Sequence, residues 1–201
     1  MNANNIQTSQ RCTWVPTADP IYMDYHDQEW GVPIHDDRMW FEFLILEGFQ
    51  AGLSWRTILY KRENFRQAFD QFDYQKIMSY GDEKVSELLL NSGIIRNRSK
   101  IQASILNARA FHAIQNEYGS FDNYIWQFVG GKPKVNAWKS ISEIPARSPE
   151  SDLLSKDLIR RGFKFVGSTI CYAHMQATGM VNDHTTDCFR YEEIIREYQN
   201  N

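Results

Sequence analysis

The chain lacks any apolar run long enough to cross a bilayer, which excludes a helical membrane anchor. Its first ten residues, MNANNIQTSQ, lack the basic-then-apolar pattern of a secretory leader. Cysteine is scarce, with three in 201 residues and no C-x-x-C pair. A disulfide framework is therefore not expected, and a cytoplasmic chain with reduced thiols is. No segment alternates apolar and polar residues into a hairpin turn, so no sheet is expected. Internal repeats and low-complexity tracts are missing as well. Net charge is only −3, which gives no global pull toward nucleic acid.

Aromatic residues are abundant, at 14% with 6 Trp, 10 Tyr and 12 Phe. That suits a packed helical core or stacking surfaces for flat ligands. The length fits one domain or two small lobes. Residues 1–10 read as a flexible lead-in, 11–190 as a single helical domain and 191–201 as a tail. Pro16, Asp19-Pro20, Gly31 and Pro33 make 11–36 look irregular. Asp36 is placed to cap a helix over about 37–50, apolar around most of its circumference. Ser54 is placed to cap a second helix over 54–61. Helical patterns follow near 63–70, 74–79 and 82–91, the last with Asp82 as its cap. A long helix is expected over 97–117 and another over 121–129. Residues 132–149 are the least regular and read as a join between lobes. Ser151 is placed to cap a helix ending at Arg161, and 167–179 reads as one more. The class is all-α.

The stretch Leu46–Trp55, LEGFQAGLSW, stands out. It ends an apolar helix with a carboxylate, Glu47, then turns through Gly52 to an apolar tip, Leu53, and to Trp55. A carboxylate is almost never fully buried without compensation. A pocket of Glu47, Trp14, Tyr25 and Trp55 would favour a flat, positively charged ligand. An alkylated adenine extruded from DNA is such a ligand. From the residues alone, a buried structural carboxylate bonded to backbone N–H groups ranks slightly ahead.

Positive charge is unevenly spread. Arg96, Arg98, Lys100 and Arg109 lie in one stretch without acids, and Arg160, Arg161 and Lys164 open another. Both sit near expected helix starts, where free N–H groups and cations can hold phosphate. Ordinary solvated cations are the alternative for each taken singly. Cys12 and His26 lie near one end, and His184 and Cys188, in H-x3-C spacing, near the other. Two Cys and two His can complete a closed, structural zinc site. Unliganded buried thiols and stray histidines are an equal alternative on spacing alone. Cys171, inside an apolar helix, reads as a core thiol. His35, His112 and His174 have no partner pattern.

RCTWV at 11–15, YHDQEWGVP at 25–33, LEGFQAGLSW at 46–55, GIIRNRSKI at 93–101, RGFKFVGSTICY at 161–172 and VNDH at 181–184 together resemble the DNA-3-methyladenine glycosylase I family. The match runs in order over nearly the whole chain. The resemblance implies a helix-hairpin-helix glycosylase fold: two helical lobes, a base pocket between them and a zinc site joining the chain ends. It implies a monofunctional base excision enzyme that flips and hydrolytically removes 3-methyladenine, leaving an abasic site. The implied metal ligands are Cys12, His26, His184 and Cys188, for one structural zinc. Glu47 matches the group that recognises the methylated base, and is the candidate catalytic residue. Tyr25 and Trp55 match pocket aromatics, with Trp14 and Trp30 close by. The hairpin at 161–167 offers Arg161, Lys164 and Gly167 to DNA, and Leu53 after Gly52 would fill the gap left by the flipped nucleotide. Double-stranded DNA with alkylated bases is the implied partner, and a monomer is expected. The chain departs from the wider superfamily at Phe165, where a glycine is usual. Asp183 lies near the place where many relatives carry a catalytic Asp, but this family is not thought to use one. The rival readings are a non-catalytic zinc-stabilised module that senses alkylated bases, and a zinc hydrolase, for which four protein ligands leave no open position.

Overall fold

The computed structural model describes residues 10–199. Eleven α-helices appear among them, in this order: α1 (Pro20–Gln28), α2 (Asp37–Gln50), α3 (Trp55–Leu59), α4 (Arg62–Ala68), α5 (Tyr74–Ile77), α6 (Asp82–Leu90), α7 (Arg98–Tyr118), α8 (Phe121–Ile125), α9 (Pro149–Arg160), α10 (Ser168–Ala177) and α11 (Phe189–Gln199). The single exception to the helical architecture is a two-residue parallel pairing of Lys134–Val135 with Val181–Asn182. No helix among the described residues is long and apolar enough to cross a membrane.

Helix α2 is the centre of the fold. Asp36 caps it by accepting from the Met39 amide, as its position before the apolar run predicts. Every residue from Trp40 to Phe49 is buried. One flank packs on α7 and α8, the other on α10, so the two helical lobes meet across this helix. The phenylalanines fill the interior. Phe49, Phe65, Phe69 and Phe72 form one chain of ring contacts, and Phe41, Phe111 and Phe121 a second.

Several boundaries differ from expectation for local reasons. Residues 20–28 are helical, not irregular: Asp19 caps α1 by accepting from the Tyr22 amide, and Pro20 takes the first-turn position that needs no N–H. Gly81 rather than Asp82 precedes α6, and Asp82 instead supplies first-turn negative charge. Helix α9 starts earlier than expected, with Ser148 as cap and Ser151 as its capping-box partner. The expected tail at 191–201 is helix α11 through Gln199, anchored by the fully buried Ile194. The expected lead-in at 1–10 lies, apart from Gln10, outside the described residues.

The irregular stretch after α8 is strapped over the C-terminal segment. Trp138 O accepts from the Thr186 amide at 2.9 Å, and Trp138 Nε1 donates to Asp183 at 2.8 Å. On the other side, Gly179 lies against Pro33. A Cβ at Gly179 would come within 2.2 Å of the Pro33 nitrogen, and its φ of +72° already disfavours a side chain. Gly179→Ala is therefore expected to destabilise the fold by about 2–4 kcal/mol in a denaturant titration.

Candidate active site and metal centre

The N-terminal half of the site is built on α1 and α3. Asp19, beyond capping α1, accepts from Tyr60 Oη at 2.8 Å and pairs with Arg56 at 2.9 Å. That ties α1, which carries Tyr25, to the segment that carries Trp55. The two rings meet at 5.4 Å between centroids. Trp14 stands edge-on to Tyr22 at 5.5 Å and to Trp30 at 5.0 Å. Together with Glu47, Gln50 and Gln176 these aromatics line a cavity of about 360 Å³, closed in part by Ile141 and Ile144 from the strapped loop. The structure thus gathers Glu47, Tyr25, Trp55, Trp14 and Trp30 at one site. Sequence reasoning did not assign Tyr22, Gln50, Gln176, Ile141 or Ile144 to it. Tyr22 precedes Tyr25 by three positions and shares its helix face, a signal hidden by reading 20–28 as irregular. The two isoleucines carried no signal in their irregular segment.

Glu47 is buried, and its Oε2 has no hydrogen-bond partner. Burial alone pushes its pKa up to about 8, because no cation or donor faces it. Glu42, five residues earlier on the same helix, is treated in the opposite way. It is buried too, but Arg62 reaches it at 2.5 Å and Arg66 at 2.9 Å. The alternative of a structural carboxylate satisfied by backbone amides fits neither the orphaned oxygen nor the raised pKa. Trp55 Nε1, also in the cavity wall, is a second buried polar atom without a partner. Unsatisfied buried groups facing a cavity are where a ligand with matching donors and acceptors gains most.

Asp183 is the reverse case. It is fully buried, and four donors converge on it: Asn136 Nδ2 and Trp138 Nε1 on one oxygen, Tyr172 Oη and Gln176 Nε2 on the other. Such a saturated carboxylate has no vacancy for a water or a sugar, and its work is to hold the strapped loop and α10 together. His174 is also buried, has no partner at either ring nitrogen and is driven by desolvation to a pKa of about 3, so it stays neutral beside Trp40. Cys171 is the core thiol expected; burial pushes it up to about 12.

Behind the aromatic wall the chain ends converge. Ligand atoms of Cys12, His26, His184 and Cys188 all lie within 4.8 Å of one another, and all four residues are buried. The sulfur–nitrogen edges are 3.5 Å for Cys12–His184, 3.4 Å for Cys188–His184 and 3.4 Å for Cys188–His26. A tetrahedral zinc with bonds of about 2.3 Å to sulfur and about 2.0 Å to nitrogen requires edges of roughly 3.5 Å. The outer ring nitrogens are also engaged as metal-bound imidazoles demand. His184 Nε2 donates to Trp30 O at 2.9 Å, and His26 Nδ1 meets Asp27 at 2.7 Å, with Arg11 behind Asp27. Donor set and geometry therefore fit one structural zinc. The cluster also positions the pocket, since Trp14 packs on His26 at 5.3 Å and Trp30 on His184 at 4.6 Å.

The cations sort differently from their sequence clusters. Arg161 is bound internally to Glu117 and Asp157, each at 2.6 Å, and lies over the rings of Tyr118 and Tyr124. These contacts hold the base of the hairpin against α7 and α8. Lys100 is buried, with Nζ bonded to Phe49 O and Ala51 O. Arg109 donates to Met78 O at 3.0 Å. Arg96, Arg98 and Lys164 remain exposed. Gly167 precedes α10 without a side-chain cap, which leaves first-turn amides open beside Lys164. Gly52, at φ +81°, turns the chain so that Leu53 stands out at 41% exposure.

A helical frame, an aromatic cleft with an unpaired acid, an apolar tip beside it and a hairpin with open amides are the parts of a helix-hairpin-helix DNA glycosylase. The methyladenine glycosylase family model matches residues 14–191. DNA-3-methyladenine glycosylase 1 of Escherichia coli (strain K12) is 51% identical over 182 residues, which cover 90% of this chain and 97% of that protein. A crystal structure of a 3-methyladenine DNA glycosylase I is similar with a TM-score of 0.87 at 55% identity, over 90% of this chain and 98% of that one. A tyrosine-to-phenylalanine variant of such an enzyme, in complex with 3-methyladenine, has a TM-score of 0.84 at 35% identity, over 86% and 93% of the two chains. The chain belongs to the methyladenine glycosylase family.

Two outcomes are expected. Elemental analysis of the purified protein should find one zinc per chain, and Cys188→Ala should lose it together with several degrees of thermal midpoint; full stability without metal would contradict a structural role. For Glu47, the folded carboxyl holds its proton more tightly than the unfolded one, so its ionisation destabilises the fold increasingly from pH 4.5 to about 8 and fully above. Glu47→Gln should match the parent in stability at pH 4 and exceed it by about 1–4 kcal/mol at pH 9, read from urea melts at both pH values.

Proposed function

We infer that this chain is a monofunctional DNA glycosylase that removes 3-methyladenine from alkylated double-stranded DNA. The observation that carries the reading is the unpaired Glu47 in the aromatic cavity. A 3-methylated adenine nucleotide is cationic and flat. Stacked against the aromatic wall that Tyr25 and Trp55 form together, it brings into the pocket the positive charge that Glu47 lacks. The carboxyl then ionises against it. A neutral base offers no such partner and leaves the buried Glu47 carboxyl protonated, because burial alone raises its pKa to about 8. Selection by charge reconciles burial of an acid with a function for it.

The chemistry asks little more. Water adds to the sugar carbon and gives up a proton to solvent, the bond to the base nitrogen breaks, and the leaving base takes the electron pair and becomes neutral. No acid is needed to protonate such a leaving group, in accord with an Asp183 saturated by four donors. The enzyme works by extruding, holding and orienting the base. Leu53 on its glycine turn fills the vacated stack, while the hairpin amides and Lys164, with Arg96 and Arg98 nearby in sequence, meet the backbone phosphates. One chain supplies every part, so the reading needs only a monomer.

High-performance chromatography of bases released from methylated duplex DNA tests it. The chain should free 3-methyladenine without cutting the strand. Glu47→Gln should lose at least about 100-fold in release while binding duplex DNA as before. Equal release by the two proteins would remove the role given to Glu47.

A further inference from the structure

Lys100 reads in the sequence as one more exposed cation, yet it is buried and two of its three ammonium donors are engaged by backbone carbonyls. Nζ donates to Phe49 O at 2.8 Å and to Ala51 O at 2.6 Å. Its remaining side faces the ring of Phe165, 5.8 Å from the centroid. Those contacts belong to two functional segments. Phe49 and Ala51 end α2 just after Glu47 and just before the Gly52–Leu53 turn. Ala51 ends the helix without a glycine cap; the Leu53 amide satisfies Gln50 O, and the Phe49 and Ala51 carbonyls are satisfied from outside by a cation. Phe165 belongs to the hairpin that reads as DNA-binding.

The hairpin side is equally specific. Phe165 has a φ of +56°, a left-handed conformation rarely taken by an aromatic residue, at the place where glycine is usual. A glycine there would have no ring to set against Lys100. The Phe165 Cβ also packs against Gly48, where an added Cβ would meet it at 3.5 Å. Helix α7 grips the same hairpin a second time. Asn107 donates to Lys164 O at 3.0 Å and accepts from Lys164 N at 2.8 Å. Lys100 and Asn107 are seven residues apart, two turns along one face of α7. One helix face thus holds the wedge turn and the hairpin in a fixed relation.

On the glycosylase reading above, we propose that Lys100 is a positioning residue that couples the DNA-gripping hairpin, through Phe165, to the turn bearing Leu53. It touches neither the base nor the cavity. It keeps phosphate contact and stack insertion in register, so that gripping the backbone places Leu53 where the base must leave. Removal of Nζ frees two carbonyls next to the wedge and loosens the hairpin ring, while the cavity walls on α1 and α3 stay as they are.

The test uses the full chain with Lys100→Met, which keeps the buried stem. Single-turnover release of 3-methyladenine from methylated duplex is expected to slow at least tenfold, and the affinity of the free base 3-methyladenine to stay within threefold. Lys100→Arg should restore part of the rate. Release within twofold of the parent by Lys100→Met overturns the proposal, and so does an equal loss of free-base binding, which would mark a general collapse of the site. Phe165→Leu, at an exposed position, gives an independent reading: a loss in the same direction, with the double variant no slower than Lys100→Met alone. Fully multiplicative losses overturn the coupling. Absence of release by the unaltered chain would instead overturn the glycosylase reading, and the proposal with it.

Discussion

A carboxylate kept out of water without a partner is the constraint around which this molecule is arranged. The contrast within α2 makes the point. Glu42 and Glu47 are both buried on one helix, but two arginines neutralise the first and nothing neutralises the second. A fold able to deliver Arg62 and Arg66 to Glu42 has the means to satisfy a buried acid. At Glu47 it offers instead an aromatic cavity and an orphaned indole N–H. Uncompensated groups at a cavity are stability forgone for function. They favour a ligand that arrives with charge and donors in a flat shape.

Holding such a site open requires rigid surroundings, and three clamps provide them. The Cys/His cluster joins the chain ends and backs Trp14 and Trp30, whose rings pack on its imidazoles. Asp19 fastens α1 to the segment that carries Trp55, through Arg56 and Tyr60. Lys100 fastens the end of α2 and, across Phe165, the hairpin. Each clamp is a polar or ionic contact between segments distant in sequence. Each acts on an element next to the pocket, leaving the pocket's own polar atoms free.

Helices α2 and α3 were legible because caps are local, Asp36 and Ser54 both acting as side-chain caps, and α7 was legible from its apolar periodicity. Helix α1 was hidden because Asp19-Pro20 looks like a break, although the same pair is a cap followed by a first-turn proline. Helix α11 was hidden because its charged sequence, FRYEEIIREYQ, exposes most of its surface and buries little. In the site, the tryptophans and Glu47 were legible as types, but whether the acid had a partner was not, since partners come from other helices. Charge counting failed for the same reason. Arg161 meets Glu117 from a distant helix, and Lys100 meets carbonyls, which no tally of charges contains. Ile141 and Ile144 carry no pattern at all, because tertiary contacts of Asp183 and Trp138 place their loop.

The central claim is that Glu47 is dry, unpaired and protonated at neutral pH until a cation enters. Carbon-13 carboxyl titration of glutamate-labelled protein reads this directly, with Glu47→Gln identifying the resonance. One carboxyl should titrate near pH 8 in the free protein, and should be ionised at pH 7 once a cationic base analogue is bound. A Glu47 resonance that titrates near 4.5 in the free protein, or that ignores the ligand, would contradict the account.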